Sequence, residues 1–90
     1  MRVIGEIKHP KYKITVFQMN ERLSVKLEDK VFEQIYKFRD GAGVRSVADV
    51  ERLLTKRFLT QVSEIFATMG ENYISALESG ENEDLAFEII

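Results

Sequence analysis

The 90-residue chain has no cysteine, one proline and one histidine. Without cysteine there are no disulfide staples, no thiolate zinc sites and no cysteine nucleophile. A lone histidine does not make a dedicated transition-metal site, so no metal and no other cofactor is expected. Long apolar runs are missing too: nothing approaches the ~18 consecutive apolar residues of a membrane span. The opening residues, Met1-Arg2-Val3-Ile4-Gly5-Glu6, meet charge at once and lack the apolar stretch of a signal peptide. These absences lead to the expectation of a cytoplasmic protein with no membrane partner.

What is present suits one folded unit. The hydrophobic share is 44%, with six Phe and three Tyr, enough for a core and too much for a disordered chain. Ninety residues fall below the length at which chains split into domains. The formal net charge of −2 is unevenly spread. Residues 1–45 carry ten Lys/Arg against six Asp/Glu, and residues 46–90 carry three against nine, leaving the halves at +4 and −6. Such asymmetry either marks an electrostatic partner surface or draws the two halves together. Mutual attraction of the halves is the simpler expectation.

The first half has period two. Tyr12, Ile14 and Val16 alternate with Lys13 and Thr15, and Leu23, Val25 and Leu27 alternate with Ser24 and Lys26, as half-buried strands do. Asn20-Glu21 suits a two-residue turn because Asn tolerates positive φ. That turn pairs Val16 with Val25, Ile14 with Leu27 and Lys13 with Glu28, and a slip of one residue would throw every apolar side chain to the other face. A first strand, Arg2–Lys8, is expected to turn through a four-residue loop at 8–11, since Pro10 suits no central strand. Val3 then opposes Val16, Gly5 opposes Ile14 and Ile7 opposes Tyr12, with Glu6, Lys13 and Glu28 in one row. Residues 31–39 fit a helix through Val31, Ile35 and Phe38, or a strand through Phe32, Tyr36 and Phe38. Aromatic and β-branched enrichment favours the strand, pairing Phe32 with Leu27 and Tyr36 with Leu23. It also points Gln34 inward, where the amide needs a partner.

Asp40-Gly41-Ala42-Gly43 ends the sheet, and Ser46-Val47-Ala48-Asp49 reads as a capping box opening a short helix over about 47–54. Leu59, Val62, Phe66, Met69, Tyr73 and Ala76 follow at helical spacing and cross Gly70 without losing phase. This predicts one long helix from about 55 to 79, stopped by Gly80. The expected fold class is α+β: a four-stranded antiparallel β-meander followed by a short and a long α-helix packed on one sheet face. Residues 1–80 form the domain, and 81–90 are an acidic and then apolar C-terminal tail.

Chemistry-bearing patterns are sparse. A catalytic triad would need His9 to reach Ser24, Ser46, Ser63, Ser75 or Ser79 with an acid behind it, and no nucleophile motif surrounds any of these serines. His9 therefore reads as a turn residue, and the chain as a non-enzyme. Gly41-Ala42-Gly43-Val44-Arg45-Ser46 falls one glycine short of G-x-G-x-x-G, with no room for a parallel βαβ nucleotide fold. It leaves Arg45 and Ser46, at a helix start, as a weak anion-site candidate. Glu81, Glu83 and Asp84 lack the spacing of a calcium loop.

Two surfaces look unfinished. Ile4, Phe17, Met19, Val31 and Ile35 are expected on the sheet face away from the helices, and contiguous apolar surface marks a partner. The tail, a second copy, or a single-stranded nucleic acid fits there; bases would stack on Phe17 while Arg2, Lys13, Lys26 and Lys37 meet phosphates. A long helix of about 37 Å also exceeds what a domain of this size covers, which makes Met69 and Tyr73 candidates for an overhang or a subunit contact. The expected function is a small non-enzymatic protein-interaction or binding domain that self-associates as a homodimer. The alternative is a single-stranded nucleic-acid-binding protein using the basic sheet face, against which the net acidic charge counts.

Overall fold

The alternation around Asn20-Glu21 folds as it reads. In the computed structural model, which describes residues 1–79, Asn20 takes φ 58° and a two-residue turn joins β2 (Lys13–Met19) to β3 (Arg22–Glu28). Lys13 opposes Glu28, Ile14 opposes Leu27 and Val16 opposes Val25, as the pattern requires. β1 (Arg2–Ile7) and β4 (Glu33–Lys37) flank this hairpin, giving one antiparallel sheet in the order β1-β2-β3-β4. α1 (Val47–Leu53) and α2 (Lys56–Ser79) follow. Ile14, Val16, Leu23, Val25 and Leu27 are buried against Val50 of α1 and Val62 and Phe66 of α2. The helices therefore cover one sheet face, and residues 31–39 contribute a strand rather than a helix.

The outer strands correct two expected registers. β1 meets β2 with Ile7 opposite Ile14, Gly5 opposite Val16 and Val3 opposite Phe17, shifting between Val3 and Gly5. This bulge turns Ile4 in to pack on the core, while Val3 is 55% exposed. Ile4 and Val3 thus exchange the faces assigned from alternation. The turn is also longer than expected. His9 Nδ1 accepts the amides of Lys11 and Tyr12, and its ring stacks on Tyr12 at 5.2 Å. Tyr12 thereby leaves the strand to meet Phe66 at 5.4 Å. Glu6 consequently opposes Thr15, not Lys13, and the expected three-residue charge row is reduced to Lys13 opposite Glu28.

At the other edge, Leu27 opposes Gln34 and Val25 opposes Tyr36. The cause is Asp29, whose Oδ1 accepts the amides of Val31 and Phe32 at 2.8 Å each, while its own amide donates to the Phe32 carbonyl. This Asx turn holds four residues, 29–32, where two were expected. The slip is of even length, so no side chain changes face.

Gln34 is buried and finds its partners: Nε2 donates to the Val62 carbonyl at 2.9 Å, and the Tyr36 hydroxyl donates to Oε1 at 2.6 Å. Burial raises the Tyr36 hydroxyl above the usual tyrosine range by disfavouring its charged form.

The helix boundaries rest on side-chain caps. Ser46 Oγ accepts the Asp49 amide as the cap of α1, and Asp49 Oδ2 reaches back one residue further than a standard capping box, accepting the amide of Arg45 rather than that of Ser46. Leu54 and Thr55 break the chain between the helices, and Thr55 Oγ1 accepts the Phe58 amide to cap α2. The 24 residues of α2 span about 36 Å. Along them, Phe58 meets Tyr36, Phe66 meets Tyr12 and Tyr73 meets Phe32, at ring separations of 5.2, 5.4 and 5.7 Å. The helix thus crosses the sheet and leaves it beyond Phe32. The proposed stop at Gly80 and the tail 81–90 lie outside the described residues.

Candidate interaction surfaces

On the outer sheet face, the register sets Val3, Phe17, Ser24 and Lys37 in one row and Glu6, Thr15, Lys26 and Ile35 in the next. Phe17 is half-buried because Lys26 lies across it, with Nζ 5.2 Å from the ring centroid. The same ammonium pairs with Glu28 at 3.6 Å. Phe17 is therefore engaged in a cation–π contact rather than presented bare. Met19 and Ile35 are exposed on this face, and Val31 is exposed in the Asp29–Phe32 turn. The apolar surface expected here is broken by a central charged pair and by the inward turn of Ile4.

The second surface is the distal half of α2. Met69 packs on the core edge, and Tyr73 rests edge-on against Phe32 while remaining 51% exposed. Ile74 and Leu77, 57% and 70% exposed, extend the surface one turn further. Neither was singled out from sequence. Leu77 stands four residues after Tyr73, on the same side of the helix, but only the crossing point at Phe32 shows that the sheet ends before it. Glu71 and Glu78 lie on the Ile74 flank, three residues before it and four after, hence on one line of the helix.

A third surface was foreshadowed only in part. A cleft of about 550 Å³ opens between the start of β3 and the loop after β4, lined by Arg22, Arg39 and Arg45 with Asp40, Gly41 and Gly43 among its other walls. Arg22 Nη2 donates to Asp40 Oδ2 at 3.3 Å. Ser46, paired with Arg45 in the sequence reading, is spent as the α1 cap. The register expected from sequence sets Arg22 opposite Lys37; the two-residue slip at the Asp29 turn, which puts Ser24 opposite Lys37, is what brings Arg22 beside Arg39 and Asp40.

His9 has no serine among its hydrogen-bond partners; its Nδ1 is occupied by two backbone amides of its own turn. Among the described residues there is no group of three His, Asp or Glu side chains arranged to hold a metal ion, and no helix long and apolar enough to cross a membrane. None of the three described ion pairs joins residues 1–45 to residues 46–90: they link Arg22 with Asp40, Lys26 with Glu28 and Arg52 with Asp49. Among the described residues, then, the opposite charges of the halves do not meet in ion pairs, and four of the nine acids of the second half lie outside those residues. Compared with models of known protein families, with curated proteins and with solved structures, the chain matches none.

Proposed function

We propose that this chain is a small non-enzymatic interaction module that self-associates, each copy offering the overhanging half of α2 to a second copy. The observation that carries this reading is the contiguous run of Tyr73, Ile74 and Leu77, each more than half exposed, beyond the end of the sheet. Fully burying such a side chain is worth about 1.5–3 kcal/mol, so the exposed fractions are worth about 1–2 kcal/mol each. Six of them in a two-fold pair contribute about 6–12 kcal/mol against at least about 4 kcal/mol lost on association, so a micromolar dimer, which needs about 8 kcal/mol, is the tightest that this surface supports.

Charge favours a second copy as the occupant. Acids Glu71 and Glu78 border the stripe, and α2 has no basic residue after Arg57. Beside the root of the overhang, the Asp29–Phe32 turn presents exposed Lys30 next to exposed Val31. An antiparallel pair about a two-fold axis sets the acidic flank of one helix against the Lys30 turn of the other. This uses between chains the asymmetry that the described ion pairs leave unused within one.

Sedimentation analysis across the micromolar range tests the proposal. Mass should rise with concentration, and Leu77→Glu or Ile74→Glu should return the chain to a folded monomer whose melting temperature no longer depends on protein concentration. A monomer at every concentration up to high micromolar removes the reading. The nucleic-acid alternative draws on Lys26 and Phe17, but a base stacking there must first displace the ammonium from the ring. Salt-sensitive oligonucleotide binding that is lost on Phe17→Ala would favour it instead.

A further inference from the structure

We infer that the arginine-lined cleft is a binding site for a small, multiply charged phosphate-type anion, independent of the self-association surface. Three of the chain's six arginines line it, and none of its seven lysines does. That selection points to planar guanidinium forks, which meet two oxygens of a phosphate at once where an ammonium meets one. Arg39 and Arg45 have no carboxylate within ion-pair distance among the described residues. Arg22 has only Asp40, in a pair whose side chains are 66% and 75% exposed, an arrangement worth little in water and readily exchanged for a stronger anion. The acids Glu21 and Asp40 also line the cleft, and three guanidiniums leave an excess of one positive charge over them.

The backbone of the loop adds donors. Gly41 and Gly43 take φ of +88° and +79°, and no atom lies within 4 Å of where a Cβ would stand on either. Glycine there both permits the left-handed backbone and lets a ligand come close to it. The Ala42 amide donates to the Arg39 carbonyl and the Arg45 amide to Asp49. Among the described residues, the amides of Gly41, Gly43 and Val44 have no protein acceptor. Three forks and these free amides around about 550 Å³ suit a ligand presenting many oxygens, and the volume is within the range of small-molecule sites. The helix start is not part of the site, because Asp49 and Ser46 already cap it.

The full chain titrated with sodium pyrophosphate, followed by amide and arginine Nε resonances and by calorimetry, tests this. Saturable shifts should be confined to Gly41, Gly43, Val44 and the guanidinium groups of Arg22, Arg39 and Arg45. Arg39→Ala and Arg45→Ala should each weaken binding by about tenfold. Arg39→Lys should not restore it, and Arg52→Ala should have no effect. A nucleoside diphosphate in a parallel titration distinguishes the source: tighter binding with added shifts at half-buried Phe38, which also lines the cleft, assigns a nucleotide, and equal binding assigns a simple polyphosphate. Shifts that never saturate, that appear equally at all six arginines, or that survive both alanine variants overturn the inference.

Discussion

Gln34 is 8% exposed, and its amide ties the sheet to α2 through the Val62 carbonyl and the Tyr36 hydroxyl. Gln34→Met keeps the length of the side chain and removes both hydrogen bonds. The Val62 carbonyl lies inside α2 and keeps a helical partner, and Tyr36 is half-buried, within reach of water. With a net ~0.5–1.5 kcal/mol per hydrogen bond and some return from burying an apolar chain, the expected loss is about 1–2 kcal/mol. Gln34→Glu is the sharper perturbation. A carboxylate there faces a carbonyl with no proton between them, and only the protonated acid can donate. A buried, unpaired charge should cost more than about 3 kcal/mol at neutral pH. Because the folded state favours the neutral acid, its folded pKa lies above the unfolded carboxylate value of ~4.3. Its stabilising contribution is then complete below the unfolded pKa and is lost as pH rises through the folded one. Urea unfolding at one fixed protein concentration measures this. The gap between Gln34→Glu and wild type should be wide at pH 7 and should close towards pH 4. A gap under about 0.5 kcal/mol at pH 7, or one that pH does not change, refutes the reasoning.

Two further outcomes follow from the same geometry. Tyr36 titrates above the usual tyrosine range because of burial, so the stability it gives by donating to Gln34 is complete below the ordinary value of about 10 and is lost as pH rises through its folded value; the difference in urea midpoint between wild type and Tyr36→Phe should shrink only on the alkaline side. A Cβ on Gly5 would stand 2.8 Å from Val47 Cγ2 and 3.3 Å from Cγ1, so Gly5→Ala should cost about 1–3 kcal/mol by overpacking. Val47→Ala in that background should recover part of the loss, and strictly additive losses in the double variant count against a direct clash.

Where local chemistry and pattern agree, the fold was legible in advance. Asn20 at positive φ set the β2–β3 register to the residue, Ser46 and Asp49 marked the start of α1, and the helical stripe ran through Gly70 unbroken. Alternation alone is blind to even shifts of register, and that is where the expectation failed at β4: the Asx turn at Asp29 added two residues and left every face unchanged. It is equally blind to a bulge, so Ile4 and Val3 exchanged faces. Gly5, a small residue in a strand interior, was the one local sign of that bulge. The candidate surfaces were harder still. Whether Phe17 is bare or covered depends on the rotamer of Lys26, and where a helix leaves a sheet depends on the angle at which it crosses; neither is a property of spacing.

The two exposed apolar surfaces differ in what they imply. On the outer sheet face, Val3, Met19 and Ile35 lie on different strands and are separated by Lys26, which engages both Phe17 and Glu28. Scattered apolar side chains on a solvated face need no partner. The β4 edge is only five residues long and ends in Glu33 and Lys37, which discourages strand addition. On α2 the apolar residues beyond Phe32 are contiguous, and the helix continues past the sheet that supports its first half. The segment from Gly70 to Ser79 extends a helix already nucleated over its first half, so it needs no new nucleus, but its turns gain little from propensity alone and the Phe32–Tyr73 contact lies at its root. Under the proposed association, the contact that buries Tyr73, Ile74 and Leu77 is also what holds those turns helical. Self-association and the length of α2 are then two readings of one equilibrium.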